Sequence, residues 1–143
     1  MSSARFDTLP AAFQHIAARE PAAVALRTPG DGQTLTWSEY TTRVREFAAG
    51  LDGLGVRRGD TVAAMMGNRV EFYPLEVAAQ HLGATSFSVY NTLPPDQLKH
   101  VLGNAGARVV ICDPRYVARL RSCGVELDHI VCLDDAPPGT LSV

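Results

Sequence analysis

Apolar residues at the start of the chain recur at helical spacing. Leu9, Ala12, Phe13, Ile16 and Ala17 follow Thr8, a good N-cap, and Pro21 stops the run, which predicts a short amphipathic helix over residues 9–19. Two short apolar arms come next, AVALR (23–27) and QTLT (33–36), flanking the turn cluster Pro29-Gly30-Asp31-Gly32, and together they predict a hairpin. Thr36 with Glu39 three residues later has the form of a capping box. Behind it Tyr40, Val44, Phe47, Ala48 and Leu51 make one apolar face, so a helix should run to about Leu54 with Gly55 as its left-handed cap residue.

From Thr61 the pattern changes to short apolar blocks alternating with helical periodicity. Residues 61–66 read as a strand. Asn68 is expected to cap the next helix, with Glu71 three residues on and Phe72, Leu75, Ala79 and Leu82 on its inner stripe. Pro74 lies inside that stretch and predicts a kink, or a helix that regularises only after it. Gly83 stops the helix and residues 84–90 form a second strand. Pro94 and Pro95 then pre-set the entry to a helix containing Leu98, Val101 and Leu102, which Gly103, Asn104 and Gly106 close. Residues 109–112 are a short buried-type strand, and Asp113-Pro114 has the form of a helix start, with Tyr116, Val117 and Leu120 following at helical spacing to Gly124. Residues 129–133 make a last strand.

Strand, helix, strand, helix, strand, helix, strand implies an α/β fold. The expected architecture is a mostly parallel sheet of about four strands with helices on both faces, preceded by the N-terminal helix and hairpin. Residues 1–133 are expected to form one subdomain, and residues 134–143 (DDAPPGTLSV) an exposed tail or linker.

Composition narrows the function classes. The 143 residues carry a formal charge of −2 with a pI near 6.0, and Arg57-Arg58 is the only adjacent pair of cations, so no basic field for nucleic acid exists. Cys112, Cys123 and Cys132 are odd in number and lack C-x-x-C spacing, and they read as reduced packing thiols. The N-terminus has no signal-peptide core and no run approaches the roughly 18 apolar residues of a membrane span, which points to the cytoplasm.

Ligands of open α/β sheets bind beyond the carboxyl ends of the strands. Those positions hold Gly67-Asn68, Tyr90-Asn91-Thr92, Asp113 and Asp134-Asp135. Two acidic strand ends have the chemistry to hold Mg²⁺. The simpler account makes Asp113 a helix cap and Asp134-Asp135 the start of a polar tail. His15, His81, His100 and His129 have no metal-ligand spacing, Ser86 and Ser88 alternate with apolar residues along a strand without G-x-S-x-G, and no phosphate loop of the G-x-x-x-x-G-K-[ST] type occurs. The glycines of residues 50–55 end a helix instead of opening one, so they are no dinucleotide fingerprint. The residues themselves therefore nominate no catalytic, cofactor-binding or metal-binding side chain.

Several segments nevertheless fall in a familiar order. L-T-W-S-E-Y (35–40), G-V-R-R-G-D-T-V (55–62), Asn68 with Glu71, H-L-G-A-T (81–85) and L-G-N-A-G-A-R-V-V-I (102–111) resemble, in order and spacing, the N-terminal part of the adenylate-forming ligases, the superfamily of acyl-CoA synthetases. F-S-V-Y-N-T-L-P-P-D-Q-L (87–98) resembles the fatty-acyl-CoA synthetase branch more than the peptide-synthetase branch. The resemblance implies activation of a fatty acid by ATP to an acyl-adenylate, then transfer to coenzyme A, with Mg²⁺ assisting in the full-length enzyme. It also implies that the phosphate loop, the adenine segment, the ribose-binding aspartate and the catalytic lysine lie outside the matched residues. The expectation is a chain that binds no cofactor and is inactive alone, with the remainder of a ligase or another copy of itself as partner. The alternative is a stand-alone flavodoxin-like α/β binding or interaction module.

Overall fold

A computed structural model describes residues 5–30 and 32–142. Helix α1 (Leu9–Arg19) starts at Thr8, whose hydroxyl accepts the Ala11 N–H at 3.2 Å. Strands β1 (Val24–Arg27) and β2 (Thr34–Thr36) pair antiparallel as the expected hairpin; Asp31 of its turn lies outside the described residues. The capping box is present at the start of α2 (Trp37–Gly53), where the Glu39 N–H donates to the Thr36 hydroxyl and the Thr36 N–H donates to the Glu39 carboxylate at 2.8 Å. Gly55 takes the left-handed conformation at φ 85°, as a residue just beyond a helix end requires.

The main sheet contains β3 (Thr61–Met65), β4 (Thr85–Ser88), β5 (Val109–Cys112), β6 (His129–Cys132) and β7 (Leu141–Ser142), all parallel, in the order β4-β3-β5-β6-β7. Five strands stand where about four are expected. The extra one lies inside the expected tail, because Leu141 and Ser142 pair with Val131 and Cys132. Side chains alternate across this sheet, as the pleat demands. Val62, Ala64, Val109, Ile111 and Val131 pack with Tyr40, Val44, Phe47 and Leu51 of α2 and with Leu75, Ala78 and Ala79 of α3 (Phe72–His81). On the other face Ala63, Met65, Val110, Cys112 and Cys132 pack with Leu98 and Leu102 of α4 (Pro95–Ala105) and with Val117 and Leu120 of α5 (Val117–Ser122). The result is the expected two-faced α/β layer structure.

Helix α3 departs from its sequence reading. It begins at Phe72, after Glu71, and Asn68 does not cap it. Pro74 therefore falls in the first turn, where backbone N–H groups have no intrahelical acceptor, so its missing donor breaks nothing and no kink is needed. The second strand is shorter than residues 84–90, although Ala84 and Val89 at its borders are buried. All three cysteines are free and buried in the α4–α5 layer. Burial first, and the Cys132 thiol second, push the Cys112 thiol up to about 12, which keeps it in the neutral form of a packing residue.

Candidate functional site

The chain passes from β3 to β4 on one side and then crosses to β5 on the other side of β3, so the sheet has a topological switch point between β3 and β5. Loops leaving the carboxyl ends of two neighbouring strands diverge there and open a crevice. Its lining is Gly67, Asn68, Arg69, Asp113, Pro114, Arg115 and Asp134.

Arg69 is the centre of this crevice. Its Nη1 donates to Asp113 Oδ1 and to Asp134 Oδ2, each at 2.8 Å, its Nε donates to Glu71 Oε2 at 3.1 Å, and its Nη2 reaches Asp134 Oδ1 at 3.4 Å. Asp113 is the one buried charged residue among those described, and its second oxygen accepts the Gly67 N–H at 2.9 Å and Arg115 Nη2 at 3.1 Å. One guanidinium thus ties together the ends of β3, β5 and β6. Arg115 lies over the ring of Tyr116 at 4.9 Å and keeps much of its side chain in solvent.

The electrostatics follow from this geometry. Burial by itself raises the Asp113 carboxyl, but the Gly67 N–H and the two arginines outweigh it and hold the group below the ordinary aspartate value. Glu71 behaves alike, burial being overcome by Arg69. Asp134 is held low chiefly by its bond to Arg69. Arg69 is raised in turn, by Asp134 first and Glu71 second. Arg69 and its three carboxylates stay charged near neutral pH, so the cluster keeps an excess of negative charge.

Such a network is chemically quiet. A carboxylate whose oxygens are engaged by a guanidinium and a backbone N–H is neither a free base nor a free metal ligand. Mg²⁺ does not fit the Asp113–Asp134 pair while Arg69 holds it, and no metal-holding group of three or more His, Cys, Asp or Glu occurs among the described residues. Asp113 also makes no side-chain cap bond to the 3₁₀ turn that follows it (Pro114–Tyr116); the expected helix-capping role gives way to anchoring the β3 loop.

The other sequence candidates stay apart. His15 lies against Phe6, His81 Nδ1 sits 2.7 Å from the Val77 carbonyl, His100 is exposed on α4, and His129 is half-buried in β6. Ser86 and Ser88 are in register with Val62 and Ala64 on β4. Tyr90 is exposed, and the Asn91 carbonyl accepts a hydrogen bond from Arg119. Arg69 is the residue that sequence reasoning overlooks. The available signal is an arginine two positions before Glu71 in a loop that leaves the switch-point strand.

Comparison with known proteins places this architecture. Residues 13–142 match the family described as AMP-binding enzyme. The uncharacterized protein Rv1549 of Mycobacterium tuberculosis is 63% identical over 134 residues, which are 94% of this chain and 77% of that one. 4-Coumarate–CoA ligase 1 of Petroselinum crispum is 29% identical over 111 residues, 77% of this chain but 20% of the enzyme. A Rhodopseudomonas palustris structure assigned as a long-chain-fatty-acid CoA ligase superposes with a TM-score of 0.85 at 27% identity, covering 94% of this chain and 35% of that one. The N-terminal domain of FACL13 from Mycobacterium tuberculosis shares the fold, with a TM-score of 0.75 at 23% identity over 96% of this chain and 33% of its own. The chain thus spans most of the mycobacterial relative but only a fifth to about a third of the ligases. The sheet matches one end of much longer enzymes, and this chain belongs to the AMP-binding enzyme family and corresponds to an N-terminal part of its CoA ligases.

Proposed function

We propose that this chain is the N-terminal scaffold segment of a fatty-acid–CoA ligase and forms no acyl-adenylate by itself. The observation that carries the reading is the Arg69 network at the switch-point crevice, whose central cation is taken up by three carboxylates. Adenylation expels pyrophosphate, a concentrated anion, and its transition state needs preorganised N–H groups, a free cation and a metal. In the crevice Arg69 faces three carboxylates, and the Gly67 N–H is turned onto Asp113. ATP, Mg²⁺ and CoA accordingly enter with the remainder of a ligase, which is the partner this scaffold would serve in the cytoplasm; a second copy of the chain is the other candidate partner.

Fatty acid as the acid class is supported by the F-S-V-Y-N-T-L-P-P-D-Q-L segment and by the Rhodopseudomonas palustris likeness. One observation favours a second reading, a stand-alone interaction module. The Mycobacterium tuberculosis relative is itself short, since 134 aligned residues make up 77% of it. ATP–pyrophosphate exchange with saturated fatty acids of graded length tests the proposal. The expected outcome is no exchange above a protein-free control, and fatty-acid-dependent exchange by the purified chain overturns it.

A further inference from the structure

We propose that residues 134–142 form a strap that opens as a unit from the edge of the sheet, with Arg69 and Arg121 as its two fasteners. The burial of the chain changes sharply at its hinge. Val131, Cys132 and Leu133 are buried, whereas no residue from Asp134 to Ser142 is. Apolar burial, the main source of local stability, therefore contributes little to holding this segment down.

Polar contacts hold it instead. Asp134 binds Arg69 at the first end. In the middle Arg121 of α5 donates to the Pro138 carbonyl, and the Thr140 hydroxyl donates to the Pro137 carbonyl at 2.6 Å, closing a turn completed by Gly139 at φ 76°. At the far end β7 contributes only two residues of pairing, both exposed. Each of these bonds can break without disturbing the packed layers.

The strap meets the packed layers at two places. Leu141 lines one side of an open apolar groove with Phe47, Leu51, Leu54, Ile111 and Val131. Thr140 places its hydroxyl 3.7 Å from the sulfur of Cys132, a fully buried side chain next to the edge. Opening the strap turns β6 into the sheet edge, with unpaired backbone groups that accept another strand, and brings the Cys132 thiol to solvent. The Cys123 thiol lies under α5 and bonds to the Leu120 carbonyl, so it stays shielded while the strap moves.

That difference makes the cysteines internal reporters. Alkylation by iodoacetamide under native conditions, read for each cysteine by peptide mass spectrometry, gives the opening of the strap from Cys132 and global unfolding from Cys123. Asp134→Asn removes one fastener at an exposed position, and Arg121→Met removes the other independently. Each is expected to speed Cys132 labelling about three- to fivefold, the scale of losing one exposed charged contact, with Cys123 labelling unchanged. Circular dichroism confirms that both variants fold. If Cys132 labels at its wild-type rate in both variants, or if Cys132 and Cys123 accelerate together, the strap is not an independent opening unit.

Discussion

Strand β5 is buried at every residue and β3 at all but its first, whereas the loops that leave these strands put Arg69, Glu71, Asp113 and Asp134 at the rim of the sheet. The two regions adjoin, yet different forces organise them. In the centre, apolar side chains from both helical layers meet across a pleated sheet, and neither pH nor salt changes those contacts much. At the rim, loop positions are set by charge-assisted hydrogen bonds to one guanidinium, with strength that depends on the protonation of its partners. A family that builds its chemistry at the ends of strands can in this way keep a scaffold fixed while its loops are positioned by a few polar residues. In this chain the rim residues Arg69, Glu71, Asp113 and Asp134 position one another.

The largest effect should come from the centre. Leu102→Ala removes a fully buried side chain between α4 and the sheet and should lower the unfolding free energy by about 3 kcal/mol in urea titrations. A loss below about 1 kcal/mol would mean that the α4 layer is loosely packed. Asp113→Ala should have the next largest effect, about 2 kcal/mol, because it strips the Gly67 N–H, Arg69 and Arg115 of a shared acceptor. Backbone resonances should then move in residues 67–71 and 134–135 and stay in place in β3 and β5.

Acid supplies the smaller test. Asp113 and Glu71 have folded pKa values below their ordinary ones, so the stability that they contribute is complete above the unfolded values, near pH 4, and is lost as pH falls through the folded ones. Stability measured by denaturant titration should decline with acid below about pH 4 in the wild type, and less steeply in the Asp113→Ala variant. Equal slopes in the two proteins would remove the rim network from the account.

Much of the centre is legible in the sequence, because each of its signals is local. Thr36 and Glu39 lie one helical turn apart, and the blocks at 61–66 and 109–112 alternate between the two helical layers. The resemblance to adenylate-forming ligases rests on such local motifs too. The rim is not local. Arg69 meets Asp113 and Asp134 across 44 and 65 residues, and no spacing rule links them. Asp113-Pro114 looks like a helix start because its residue types suit one, but the fold brings Gly67 and Arg69 to the same carboxylate first. Asn68 looks like a cap for a similar reason, while Pro74 sets the first turn of α3 further on. Strand β7 escapes notice because two exposed residues after a Pro-Pro-Gly turn carry no alternation.

The central claim is that the switch-point crevice braces the scaffold and takes no nucleotide. Titration of the isotope-labelled chain with MgATP, followed through the backbone amides of Gly67, Arg69, Asp113 and Asp134, tests it most directly. The account predicts no saturable shift at these positions up to millimolar nucleotide. Saturable shifts there, with Arg69 released from its carboxylates, would contradict it.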